Sequence, residues 1–276
     1  MKIAIHQMCS TFHPETNADV IISAIAAAAK TGAVMYFAPE MSVLIDRDRQ
    51  RAQGKIFSEA ETSSLKRVRQ AAAEASIWVH LGSIPVRGEV DGHRYANRTL
   101  VIDDKGEVRA RYDKMHLFDV ALSSGESWRE SSVYDSGDGP VVVQTPLGSM
   151  GLTICYDMRF PDLYSALAKA GVDVLAVPAA FTVPTGKAHW HTLLRARAIE
   201  AQAFVIAAAQ SGRHEDGRTT YGHSLVVDPW GEVLLDMGQN EGLGFADIDL
   251  ARIGETRLQI PVNENRRDIS MPVSFF

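Results

Sequence analysis

Two β-sheets packed face to face, with helices on the outside, is the fold class this sequence predicts, and three observations predict it. Short apolar runs rich in β-branched residues alternate twice with stretches of helical period. Turn signals recur between strand-like runs in both halves: Asp103-Asp104-Lys105-Gly106, Pro146-Leu147-Gly148-Ser149 and Asp228-Pro229-Trp230-Gly231. About nine strands with one-faced helices bury their apolar sides best as layers. The 276 residues, 46% of them hydrophobic, suffice for one full core. No Gly, Ser or Pro linker and no repeat divides the chain, so a single domain over 1–276 is expected.

The elements follow in order. Residues 1–8 read as a strand, too short and too soon interrupted by His6 and Gln7 for a signal peptide. The alanine-rich run 20–29 is a helix ending in Lys30-Thr31-Gly32 with a glycine C-cap, and is too short for a membrane span. Residues 33–38 form a second strand, parallel to the first, which ends on Pro39 and delivers Glu40 just past its edge. Ser58 with Glu61 has the spacing of a capping box and predicts a helix from there to about residue 75. A strand over 77–86, a turn at 88–92 and a hairpin of 95–102 with 107–112 come next. Residues 120–139 have little periodicity and read as a long loop. A hairpin of 141–145 with 150–155 leads to a helix over 163–170 closed by Gly171, a strand over 172–178, a loop over 179–184 and a helix over 189–202. The chain finishes with a strand over 203–209, a hairpin of 222–227 with 233–236, a strand over 244–249 and a polar tail from Ile260 that wraps the surface.

A formal net charge of −6 with no basic patch excludes nucleic acid or an anionic membrane as the partner. Two cysteines, Cys9 and Cys155, do not make a disulfide scaffold at this length, and a reducing cytoplasm is the expected compartment. His189 and His191, two apart on a helix, point to different faces, and no His-Glu-x-x-His, paired Cys-x-x-Cys or phosphate-binding glycine loop occurs. No metal and no cofactor is expected.

Three residues stand out. Cys155 lies where the apolar run Gly151-Leu152-Thr153-Ile154 gives way to charged residues and a helix. A lone cysteine there is ordinarily core, but the carboxyl ends of sheet strands also present reactive groups. Glu40 occupies a corresponding edge, where a glutamate is ordinarily a solvated loop residue. Lys114 follows a hairpin strand, where a lysine ordinarily snorkels, yet Tyr112, Met115, Leu117 and Phe118 surround it with apolar neighbours.

The segments Ala38-Pro39-Glu40, Tyr112-Asp113-Lys114-Met115-His116-Leu117-Phe118-Asp119 and Cys155-Tyr156-Asp157-Met158-Arg159-Phe160-Pro161 resemble, in order, the signature segments of the nitrilase superfamily of carbon-nitrogen hydrolases. Residues 195–200 and 221–231 are also similar to family segments. The resemblance implies a four-layer αββα sandwich, a homodimer or higher homo-oligomer, and a Glu-Lys-Cys triad falling on Glu40, Lys114 and Cys155. It also implies a second glutamate, Glu130, with Glu126 as the competing placement. Within the superfamily the chain looks most like the branch of deaminated glutathione amidase and omega-amidase, and Ala209-Gln210-Ser211-Gly212-Arg213-His214 favours the former.

The expected activity, as that resemblance implies, is hydrolysis of a small carboxylated amide, of the deaminated glutathione or 2-oxo acid γ-amide type, through a cysteine thioester, with release of ammonia or amine. A hydrolase acting on N-carbamoyl compounds or nitriles, or a silent binding member, are the alternatives. In this chemistry Glu40 is the general base, and Lys114 with the backbone N–H of Tyr156 holds the oxyanion. Arg159, four residues beyond Cys155, is the nearest cation in sequence for an anionic substrate, the alternative being a pair with Asp157 or Asp162. Phe181 and Thr182, after the following strand, would form the opposite wall.

Overall fold

The computed structural model describes residues 1–88, 94–121 and 127–267. One sheet has the spatial order Gly242–Asp247, Lys2–Gln7, Met35–Phe37, Trp78–His80, Tyr95–Ile102, Ile84–Arg87, and Val108–Asp113 also pairs with Tyr95–Ile102. The second runs Val233–Asp236, Leu225–Val227, Phe204–Ala207, Val174–Ala176, Gly148–Leu152, Val141–Thr145. Strand alternation decides which faces meet. Ile3, Ile5, Met35 and Phe37 join one core with Met150, Leu152 and Val174 of the other sheet. Ala4 and Tyr36, between them in sequence, instead join Ile21, Ile25, Leu65 and Val68 of the helices Pro14–Lys30 and Ser63–Ala75. On the far side Leu163, Leu167, Trp190 and Leu194 of helices Pro161–Lys169 and Val183–Ala201 cover the second sheet. The layered sandwich is thus the predicted one, and each buried large aliphatic contributes about 1.5–3 kcal/mol.

In both sheets the central strands are parallel: Lys2–Gln7 with Met35–Phe37 and Trp78–His80, and Gly148–Leu152 with Val174–Ala176 and Phe204–Ala207. Their carboxyl ends deliver Glu40 from one sheet and Cys155 from the other. Trp78–His80 and Val108–Asp113 both run antiparallel to Tyr95–Ile102, so they run the same way as each other. Lys114 therefore leaves the first sheet at the same edge as Glu40.

The single strand expected over 77–86 is two pieces, Trp78–His80 and Ile84–Arg87, both antiparallel to Tyr95–Ile102. The break makes room for the Glu40 turn. Gly82 sits at φ +66, where a Cβ would lie 2.0 Å from the Pro39 carbonyl oxygen. Ser83 N–H donates to Pro39 O at 3.3 Å, Ser42 N–H to Ser83 O at 2.9 Å and Met41 N–H to Ser83 Oγ at 3.1 Å.

Other boundaries also differ. Ser58 and Glu61 close a turn of their own, with Oγ donating to Oε2 at 2.7 Å, and the helix begins at Ser63 with Thr62 as N-cap. The helix expected from 189 begins at Val183, because Pro184 falls in its first turn, where a missing N–H costs nothing. The hairpin Ser211–Arg213 with Thr219–Tyr221 and the helix Ala251–Gln259 were not expected. The loop at 120–139 carries a short pair, Asp119–Ala121 with Ser127–Arg129, and a 3-10 turn Glu130–Ser132. Glu126, part of the turn at 88–92 and the last residues of the tail lie outside the described residues. Among the described residues no helix is long and apolar enough to cross a membrane.

Candidate active site

Cys155 begins a 3-10 turn, Cys155–Arg159, and has φ +47. A non-glycine residue in this region costs about 1–2 kcal/mol and is held there by its surroundings. Cys155 N–H donates to Pro178 O at 2.9 Å. Beneath the turn, fully buried Asp157 accepts from Ile154 N–H at 2.8 Å, Tyr112 OH at 2.7 Å and His116 N–H at 3.0 Å, and lies 2.7 Å from His116 Nδ1. One carboxylate thereby ties the Lys114 segment to the Cys155 turn. Met41, following Glu40, is likewise left-handed at φ +54.

Glu40, Lys114 and Cys155 are 4%, 2% and 8% exposed. Lys114 Nζ donates to Glu40 Oε1 at 2.9 Å and to Glu130 Oε2 at 2.9 Å. Glu130 is thus a second described glutamate that meets the lysine, and its Oε2 also accepts Phe118 N–H at 2.7 Å. Glu40 Oε2 accepts Ala180 N–H, from the second sheet, at 2.8 Å. Asn97 Nδ2 bridges the carboxylates, at 3.0 Å from Glu40 and 3.2 Å from Glu130. Gln210 Nε2 holds the Glu40 carbonyl at 2.9 Å.

Charge follows from this packing. Burial by itself would raise the Glu40 pKa, but the Lys114 charge and hydrogen bond outweigh it and hold the carboxyl below its usual range. Burial would lower Lys114, yet Glu130 and Glu40 raise it well above the ordinary lysine value. Burial, then the Glu40 charge, push the Cys155 thiol well up, with Lys114 opposing. At neutral pH the group is a carboxylate, an ammonium and a protonated thiol lying against the carboxylate. A base beside its acid, with a cation at hand, is an arrangement for proton transfer during nucleophilic attack.

These groups open on a cavity of about 520 Å³, which Tyr156, Phe181 and Thr182 line as expected. Arg159 is not among the lining residues. Its guanidinium lies 5.3 Å from the Phe181 ring centroid and 5.9 Å from that of Tyr156, and Nη1 is 3.3 Å from His189 Nδ1. The alternative pair with Asp157 or Asp162 is not among its contacts either, and the Asp157 carboxylate is taken by Tyr112, His116 and Ile154. The cavity-lining arginines are Arg47, Arg49, Arg129 and Arg218, with Arg47 and Arg218 over the Trp128 ring at 4.8 and 5.1 Å. Asn97, Trp128 and Arg218 were missed. None of the three stands out in sequence: Asn97 is followed by Arg98 and Thr99 in the strand Tyr95–Ile102, and Trp128 and Arg218 lie in loop-like stretches.

For a metal, the candidate ligand group among the described residues is His191, His223 and Asp236, none of which lines the cavity.

Comparison with known proteins agrees with this geometry. The family model described as carbon-nitrogen hydrolase matches residues 2–258. A deaminated glutathione amidase of Mus musculus is 42% identical over 270 residues, covering 96% of this chain and 83% of the relative. The crystal structure of the Caenorhabditis elegans NitFhit protein superposes with a TM-score of 0.89 at 38% identity, covering 96% of this chain and 65% of that one. A Glu-to-Gln mutant of the amidase from Nesterenkonia sp. AN1, with the acetamide moiety of fluoroacetamide added covalently at its active site cysteine, superposes with a TM-score of 0.80 at 26% identity, covering 97% and 94% of the two chains.

Proposed function

The chain belongs to the carbon-nitrogen hydrolase family, and on that premise we propose that it is an amidase cleaving a small carboxylated amide of the deaminated-glutathione type through a thioester on Cys155. The observation that carries this reading is the buried Lys114 ammonium bonded to Glu40 at 2.9 Å on the floor of the cavity that Cys155 lines. The cysteine adduct in the Nesterenkonia amidase and the name of the mouse relative support it.

In the proposed mechanism Cys155 Sγ attacks the amide carbonyl carbon while its proton passes to Glu40. The thiol is held protonated until then, so a reactive thiolate forms only as substrate arrives. The oxyanion is met by Lys114 Nζ and the Tyr156 backbone N–H. Nζ has three donors and gives them to Glu40 Oε1 at 2.9 Å and to both Glu130 oxygens at 2.9 and 3.2 Å, so the longer bond to Glu130 Oε1 is the one that yields to the oxyanion. Loss of one oxyanion donor typically costs about 2.7–4 kcal/mol of barrier. Glu40 returns its proton to the departing nitrogen, and ammonia or an amine leaves. It then takes a proton from water, which adds to the thioester; collapse frees the carboxylic acid and restores the thiol.

The substrate carboxylate is assigned to the arginine rim, chiefly Arg218, rather than to Arg159. Arg218 Nε is fixed by Asp216 Oδ2 at 2.8 Å, which orients the guanidinium. Trp128 Nε1, buried without a partner among the described residues, offers a donor to the same ligand. The homo-oligomer implied by the family would cover Ile199, Trp230 and Ile260, about half exposed around one depression.

The test is mass spectrometry of the protein mixed with a slow amide, alongside ammonia release. A thioester on Cys155, and a folded Cys155→Ala variant with no turnover, are expected. Substantial residual turnover in that variant would sink the proposal.

A further inference from the structure

His191, His223 and Asp236 meet away from the cavity, and nothing in the hydrolytic chemistry uses them. They come from helix Val183–Ala201, the turn after Thr219–Tyr221 and the end of strand Val233–Asp236. His191 Nε2 is 2.9 Å from Asp236 Oδ2; His223 Nδ1 is 2.9 Å from Oδ1 and 3.2 Å from Oδ2. The three ligand atoms all lie within 4.8 Å of one another. We propose that these three side chains form a binding site for a divalent transition metal of the zinc class, which staples the helix to the second sheet.

The local backbone is arranged for this. His223 is left-handed at φ +55, a conformation uncommon for a residue with a Cβ. It is pinned on both sides: its N–H donates to Gly238 O at 2.6 Å, and its carbonyl accepts Trp190 Nε1 at 2.8 Å. Its ring stacks on Tyr221 with centroids 4.3 Å apart. The Trp190 bond also sets the helix so that the next residue, His191, faces the same carboxylate. Asp236 Oδ1 is held by Gly238 N–H at 2.9 Å, a contact of the kind that orients a ligand carboxylate.

Chemistry and spacing select the ion. Two imidazole nitrogens and one carboxylate oxygen suit zinc and its neighbours, whereas calcium and magnesium prefer all-oxygen sets. Bonds of about 2.0–2.1 Å in a tetrahedron place ligand atoms about 3.3 Å apart. The 2.9 and 3.2 Å separations to Oδ2 widen by a few tenths of an ångström on binding, and the two imidazole nitrogens, within 4.8 Å of each other, close by rotation of their rings. The side chains of His191, His223 and Asp236 are 36%, 21% and 32% exposed, so an ion can enter from solvent and keep a water as its fourth ligand.

The experiment is titration of chelator-treated full-length protein with zinc by calorimetry and with cobalt(II) by visible absorption. One ion per chain is expected, with a cobalt spectrum of nitrogen and oxygen ligation, no thiolate charge-transfer band, and a melting temperature that rises with zinc. His191→Ala and Asp236→Asn should each weaken binding about 100-fold or more while the cysteines stay intact. No binding to wild type at millimolar zinc would overturn the site. So would affinity unchanged in both variants, or a thiolate band lost in Cys9→Ala or Cys155→Ala, which would put the ion on sulfur instead.

Discussion

Replacing Asp157 by asparagine tests how the Cys155 turn is held. The aspartate is fully buried; Oδ2 serves Ile154 N–H and Tyr112 OH, and Oδ1 serves His116 N–H and ring nitrogen. Asparagine keeps the shape with only one oxygen. Whichever way it turns, its NH₂ faces one of two backbone N–H groups, Ile154 or His116, and a buried donor loses its acceptor. Tyr112 can rotate its hydroxyl and His116 can change tautomer, so these two adapt. His116 cannot easily move away, since its ring stacks on Phe160 at 3.6 Å between centroids. One unsatisfied buried N–H costs about 1–3 kcal/mol, and loss of charge on the surviving bonds adds about 1 kcal/mol, for a total of about 2–4 kcal/mol. The assay is equilibrium urea unfolding of both proteins at pH 7, with the slope required to stay constant. Because Ile154 directly precedes Cys155, kcat should fall while KM changes little. A destabilisation under about 0.5 kcal/mol with kcat intact would refute the clamp.

Glu40→Gln should lower amide hydrolysis by about 10²–10⁴-fold, since the amide retains the shape but cannot accept the thiol proton; near-normal rates would assign the base elsewhere. For the same reason the acid limb of kcat/KM in the wild type should lie below the usual glutamate range, in keeping with the lowered Glu40 pKa. Arg218→Ala should reduce kcat/KM for carboxylated amides about 10–100-fold more than for neutral ones, the worth of a charge-assisted contact, and equal losses would show the residue to be structural. Burial depresses the pKa of His6 to about 4 and of His80 to about 3. The unfolded chain takes up these protons near pH 6.5 while the folded one does not, so stability should decline as pH falls from about 6.5 toward 4, by up to about 1.4 kcal/mol per pH unit for each histidine. Urea midpoints across that range, with a shallower decline in His6→Gln, provide the check.

The sequence by itself determined the alternation of strands and helices, the parallel start of the first sheet, the hairpin that opens the second, and Glu40, Lys114 and Cys155 as residues in unusual places. These are legible because they rest on period, on local turn chemistry and on motif segments that keep their order along the chain. Tertiary structure decided the rest. That Gly242–Asp247 pairs with the first strand, that Asn97 bridges two carboxylates, and that Arg159 lies behind Phe181 while Arg218 lines the cavity all depend on segments far apart in sequence. The histidine case shows the difference most directly. Read along the helix, His191 has only His189 for company, on another face; folded, it meets Asp236, 45 residues away, because Trp190 keys the helix to the His223 turn. A side chain's local period fixes the face from which it points. What it points at is set by how the sheets and helices pack, through burial and hydrogen bonds that exist only once distant segments have met.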